Sequence, residues 1–188
     1  RDPRARPDPM SLRPTTLLGA ASVAFAAGLG ALAVLQHRAF RTGRYDVGNL
    51  VQAVWSTAHG DLLSVTDTQG RQISRLGVHF DPLGAAFAPL WWLWPDASLL
   101  LLAQAAAVAA GAPAVFLLAR RHLGSPWGSL GLALAYLLYP PTQWLVLDDF
   151  HPVAFATPLL LWGFWFLDSD RLAAFAAVAG LACLSKEQ

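Results

Sequence analysis

The 188 residues predict an all-α fold, a polytopic integral membrane helical bundle with a long outer loop that carries membrane-surface helices. Two observations predict it. Hydrophobic residues make up 55% of the chain and charged residues only 13%, about half the charge that a water-facing domain carries. The charges are also clustered, leaving uncharged runs of 24 residues between Arg13 and Arg38, 23 between Asp96 and Arg120, and 26 between Arg121 and Asp148. Shorter runs of 18 and 14 residues follow Asp149 and Arg171. A helix crossing a bilayer needs about 20 apolar residues. A net charge of +1 gives no basic footprint for nucleic acid, and the lone Cys183 excludes both a disulfide framework and a cysteine zinc cluster.

In chain order, residues 1–14 read as a disordered cytoplasmic leader, with RDPRARPDP ahead of the only methionine, Met10. The membrane domain is expected over 15–188, with spans at about 15–36, 97–119, 127–141, 152–167 and 171–185 and the outer loop at 37–96. The first span is too long for a signal-peptide core and lacks a small-residue cleavage site, so it reads as a retained anchor. The last run stops without a cap, which reads as the N-terminal fragment of a longer polytopic protein. Between Asp81 and Asp96, PLGAAFAPLWWLWP has three prolines and three tryptophans in 14 residues. That length suits an interfacial or re-entrant helix, with Trp91, Trp92 and Trp94 at headgroup depth. If this segment does not cross, Arg120, Arg121 and Arg171 fall in short inner loops and Asp148-Asp149 in an outer one. That arrangement follows the positive-inside bias, with a cytoplasmic N-terminus in a multi-pass plasma-membrane protein. Arg38, Arg41 and Arg44 fall on the outer side, where long loops translocate with weaker regard to charge.

Within the outer loop, Val47, Leu50, Val51, Val54, Trp55 and Ala58 keep helical spacing, with Asn49, Gln52, Ser56 and His59 opposite. This predicts a helix lying on the membrane surface, with Asp46 as N-cap and Gly60 just past its end. DLLSVTDTQGRQISRLG, turning around Gln69-Gly70, reads as a hairpin or a loop. In this topology Asp46, His79, Asp148, Asp149, His151, Lys186 and Glu187 all fall on one side of the membrane. Carboxylates with imidazoles can ligate a divalent metal ion (Mg, Mn or Zn), and such an ion can neutralise a phosphate leaving group. Lys186, the only lysine, can bind phosphate as a point charge. Plainer readings stand beside these. Asp46 can be a simple N-cap, Asp149-Phe-His-Pro a capped helix start with Pro152 near N1, His79 an interfacial histidine, and Lys186-Glu187 a snorkelling anchor. The Arg38, Arg41 and Arg44 stripe suits headgroup contact or, more sharply, lipid-phosphate recognition.

Tyr45-Asp46-x-Gly48 with Gln52 and Trp55, followed by Gly77-Val78-His79-Phe80-x-Pro82, resembles a family of bacterial and archaeal membrane proteins, domain of unknown function 2079. Leu118-Ala-Arg-Arg-x-Leu-Gly124, Ala135-Tyr-Leu-Leu-Tyr-Pro140, Asp149-Phe150-His151-Pro152 and Lys186-Glu187 continue the resemblance in order over about 36–188. The layout is also similar to the GT-C glycosyltransferases, membrane enzymes that use polyprenyl-phosphate sugar donors. That resemblance implies Asp46 as the first-loop catalytic acid, acting as base or metal ligand. It implies Asp149, His151, His79 and Asp148 as metal-side residues, and Lys186 and Arg44 as phosphate-binding, with Glu187 and Gln52 nearby. The implied partners are the lipid bilayer and a lipid-linked sugar phosphate. A non-enzymatic transporter or lipid-handling protein is the competing class, and it would carry intramembrane charges along its pathway. The three longest uncharged runs hold none. A third reading, an anchor or scaffold, predicts that Asp46 and His151 are dispensable.

Overall fold

The computed structural model describes residues 13–43 and 45–186, so residues 1–12 of the leader and the expectations placed on Arg44 and Glu187 lie outside the described residues, while Pro14, read as the end of the leader, opens the first helix. The bundle is built from α1 (Pro14–Arg38), α4 (Ala97–Ala109), α5 (Gly111–Leu123), α6 (Pro126–Leu138), α7 (Pro140–Leu147), α8 (Ala156–Asp168) and α9 (Leu172–Cys183). At one end sits a cap made of α2 (Asp46–Ala58), strands β1 (Ser64–Thr66) and β2 (Gln72–Ser74), and α3 (Ala88–Trp91). Short 3-10 turns at Arg75–Gly77, Pro82–Phe87 and Pro152–Phe155 join these elements.

Two helices are long and apolar enough to cross a membrane. One is α1, and the other is the continuous 27-residue run Ala97–Leu123 formed by α4 and α5. The first opens with Pro14, whose fixed φ and missing N–H suit a first turn. The second is capped by Asp96, which accepts the Ser98 N–H at 2.7 Å. Hydrogen bonding to Ser98, by its side chain and then its backbone, holds the Asp96 carboxyl below the usual carboxylate range. The helix ends at Gly124, whose left-handed φ of 65° closes it without a Cβ clash.

The expected third span, 127–141, is not one straight helix. Tyr139 precedes Pro140 and is forced into an extended conformation. As a result α6 and α7 meet at a 45° bend. Taken together the pair is apolar and long enough to cross, while Pro152–Asp168 and α9 are shorter apolar helices. At the far end from the cap, Asp168 pairs with Arg121 at 2.9 Å and with His122 at 3.1 Å.

The Trp-rich segment folds into a 3-10 turn and the single turn of α3, well short of a crossing helix. Trp91 departs from its headgroup expectation. It is buried with Phe87 in the apolar cluster that joins cap to bundle, while Trp92 and Trp94 stay exposed. The surface-helix expectation for 46–58 also changes, because α2 is covered on two sides. Val47, Leu50 and Val54 pack on Ala33, Leu100 and Leu101 of the bundle. Ala53 packs on Leu63 and Val65 of the hairpin. Asn49 and Ser56, read as lying opposite the apolar face, are buried because the residues that follow supply partners: Asn49 accepts from Arg75 in the 3-10 turn, and the Ser56 hydroxyl donates to the Ser64 carbonyl at 2.7 Å. Gln52 likewise donates to Thr66 Oγ1 at 2.7 Å and accepts the Thr66 N–H at 3.0 Å, pairing helix to strand. The hairpin itself is real, in the register Ser64↔Ser74, Val65↔Ile73 and Thr66↔Gln72.

Close approach of α1 to α4 occurs at Gly30, where a Cβ would lie 2.9 Å from Leu102 Cδ2 and 3.2 Å from Ala105 Cβ. Gly19, on the same helix, has nothing within 4 Å. Gly30→Leu is therefore expected to lower the thermal midpoint in lipid nanodiscs, at an overpacking cost of about 1–3 kcal/mol. Gly19→Leu should leave it unchanged or raise it through helix propensity. Equal effects at both positions would contradict this packing.

Candidate functional site

Three segments converge beside the cap: the turn after α1, the start of α2, and the loop between α7 and α8. Asp149 sits in that loop with a φ of 56°, a conformation an L-residue rarely adopts. The turn aims its Oδ2 at the Gly43 N–H, which donates at 2.7 Å. A Cβ on Gly43 would collide with that same oxygen and would also lie 3.8 Å from Asp46 Oδ2. A side chain at position 43 would therefore push the Asp149 carboxylate aside, and the glycine lies beside two carboxylates that are 103 residues apart in sequence. Asp46 is the first residue of α2, with Tyr45 in the cap position and no side-chain capping bond, so it is not the N-cap the sequence suggested. The capped-start reading of Asp149 fails for a similar reason. His151 precedes the 3-10 turn, and the Asp149 carboxylate bonds across to Gly43 instead.

The loop is pinned on both sides of Asp149. Phe150 is fully buried and packs edge-on to Phe87 and Phe155 at ring separations of 6.0 Å each. Gln104 on α4, also fully buried, donates to the carbonyls of Leu145 at 3.0 Å and Asp149 at 2.7 Å, and accepts the His151 N–H at 2.8 Å. Sequence reasoning missed both Gln104 and Gly43. A signal for the first was present, since Gln104 is the one amide between Asp96 and Arg120, and polar side chains within spans are seldom idle.

Beneath the start of α2 lies a second anchor that sequence reasoning missed. The Arg75 guanidinium grips Asp81 through Nε at 2.9 Å to Oδ1 and through Nη2 at 2.6 Å to Oδ2, while Nη1 donates to Asn49 Oδ1. All three residues are buried. Asp46, Asn49, Arg75 and His79 line one small cavity of about 60 Å³, so two of the predicted site residues, Asp46 and His79, do meet.

The other predicted residues take different neighbours. Asp148 and His151 pair with each other at 4.0 Å, away from the Asp149 carboxylate. They line a cavity of about 420 Å³ at the α6–α7 bend. Lys186 is exposed at the end of α9, on a cavity of about 540 Å³ shared with Phe80 and Leu160. That end is tied to the cap by the Leu83 N–H, which donates to the Leu184 carbonyl at 3.0 Å. Among the described residues, no three His, Cys, Asp or Glu side chains group closely enough to hold a metal ion.

Apolar helices of crossing length and a polar cap at one end define the class, a helical membrane protein. The chain belongs to the family described as Predicted membrane protein (DUF2079), whose model matches residues 36–188. No curated protein and no solved structure matches the chain.

Replacing Gln104 by Leu keeps the side chain's bulk but strips a partner from two half-buried carbonyls and one half-buried N–H, and leaves no amide in its place. The expected result is a loss of about 2 kcal/mol or more in unfolding stability. Faster amide exchange should be confined to residues 145–151 and read by hydrogen–deuterium exchange in nanodiscs. Unchanged protection there would show that the clasp does not hold the loop.

Proposed function

We propose that the chain is a GT-C-like glycosyltransferase acting at the outer membrane face, moving a sugar from a polyprenyl-phosphate carrier to an acceptor hydroxyl. The observation that carries this reading is the meeting of Asp46 and Asp149 at Gly43. Two carboxylates at one glycine offer a divalent cation oxygen ligands from segments far apart in sequence. The oxygen donors suit Mg or Mn. Asp149 would hold such an ion on one side of Gly43, with Asp46 facing it from the other. A divalent cation bound there would supply neutralisation of the phosphate leaving group.

The chain's own residues then have distinct tasks. The Asp46 carboxylate takes the proton of the acceptor hydroxyl as general base. The acceptor oxygen bonds to the anomeric carbon while that carbon's bond to the phosphate oxygen breaks, and the carrier departs as a lipid phosphate. Lys186, the only lysine, offers the donor phosphate a positive charge at the mouth of an apolar cavity that suits a lipid tail. Arg120, Arg121 and Arg171 lie towards the opposite end, in keeping with a cytoplasmic N-terminus.

The test is transfer from polyprenyl-phosphate sugars, with Mn binding measured in parallel on protein in nanodiscs. Asp46→Asn is expected to slow transfer about a hundredfold or more. Gly43→Ala, which displaces Asp149, is expected to weaken Mn binding about 10–100-fold, and Asp149→Asn by at least as much. Folded wild type that transfers from no such donor, or transfer undiminished in Asp46→Asn, overturns the reading.

A further inference from the structure

We propose that the cavity at the α6–α7 bend is a second ligand site, one that takes an organic ammonium group. The cavity exists because Tyr139-Pro140-Pro141 breaks the helix. Pro141, Trp144, Asp148 and His151 follow at steps of three, four and three residues, so one face of α7 and the turn beyond it line the space. Trp144 stands 67% exposed, a large ring held open to a cavity of about 420 Å³.

The lining fixes the ligand's chemistry. Its only carboxylate, Asp148, repels a phosphate or carboxylate ligand. Proline and leucine side chains offer no hydrogen bonds, so a ring bearing many hydroxyls would leave most of them without partners. An indole face beside a carboxylate, with apolar walls, attracts a monocation carrying a short hydrocarbon body.

The site is separate from the Gly43 centre because adjacent acids diverge. The positive φ of Asp149 sends its carboxylate to Gly43, while Asp148 stays on the bend cavity. A dipeptide that reads as one acidic motif therefore serves two places. An ammonium group can arrive on an ethanolamine lipid headgroup or on a free amine.

Ethanolamine is titrated calorimetrically into the protein in phosphatidylglycerol nanodiscs, and the titration is repeated with phosphatidylethanolamine included. Saturable binding is expected, weakened about tenfold or more by Asp148→Asn and by Trp144→Ala. Asp61→Asn removes an equal charge from the exposed cap and should leave binding as in wild type. Binding that disappears when phosphatidylethanolamine is present assigns the site to the lipid headgroup, and binding that persists assigns it to a free amine. No saturable binding, or binding equally strong in Asp148→Asn, overturns the proposal. Mn binding retained in Asp148→Asn separates this site from the Gly43 centre, so either reading can fail alone.

Discussion

Gln104 sits two turns into α4 among leucines and alanines, and its amide is fully buried. In that setting an amide has to find partners within the protein, since leaving it bare costs several kcal/mol. The partners it finds are the Leu145 carbonyl in the last turn of α7 and, in the loop beyond, the Asp149 carbonyl and the His151 N–H. This one constraint fixes more than the loop. It ties the last turn of α7 to the loop across Asp149, in its left-handed conformation, and the inward-turned Phe150. Much of the geometry beside the cap depends on where that amide is.

Phe150 carries the constraint from the bundle into the cap. Its ring belongs to the cluster that includes Ala33 of α1, Leu50 of α2, Phe87 and Leu100 of α4. A fully buried aromatic ring of this kind contributes roughly 2–3 kcal/mol by burial alone. The cap is thus seated on the bundle by the residue that lies between Asp149 and His151. Moving the cap would drag Phe150 and strain the Gln104 bonds, which couples the seat of α2 to the direction of the Asp149 carboxylate.

The long elements were legible because hydropathy at span length is a strong signal. The 24-residue run after Arg13 and the 23-residue run after Asp96 both became crossing-length helices. The break at Tyr139 was written in Pro140-Pro141, yet counting uncharged residues treats proline as apolar and reads across it. The site was legible as a set of residue types on one side, but not as a geometry. Asp46 and Asp149 could be named, whereas the glycine joining them could not, since Gly43 matters through the absence of a Cβ. The polar face of α2 misled because periodicity reports which residues differ, not what later covers them. Ser56 found its cover in a strand eight residues downstream.

The buried Arg75–Asp81 pair shows how the cap spends stability on orientation. Desolvating two charges offsets most of their attraction, so well-packed apolar residues would hold the cap at least as firmly. A bidentate guanidinium also fixes direction, with two bonds to Asp81 defining a plane and a third donor left for Asn49. Asn49 lies one turn along α2 from Asp46, so a bond that fixes its side chain also fixes the rotation of the helix about its axis. Apolar contacts from Val47, Leu50 and Val54 tolerate some roll, but a hydrogen bond to a clamped guanidinium tolerates little. Asp46, exposed and without a capping bond of its own, takes its direction from that roll, which Arg75 fixes through Asn49.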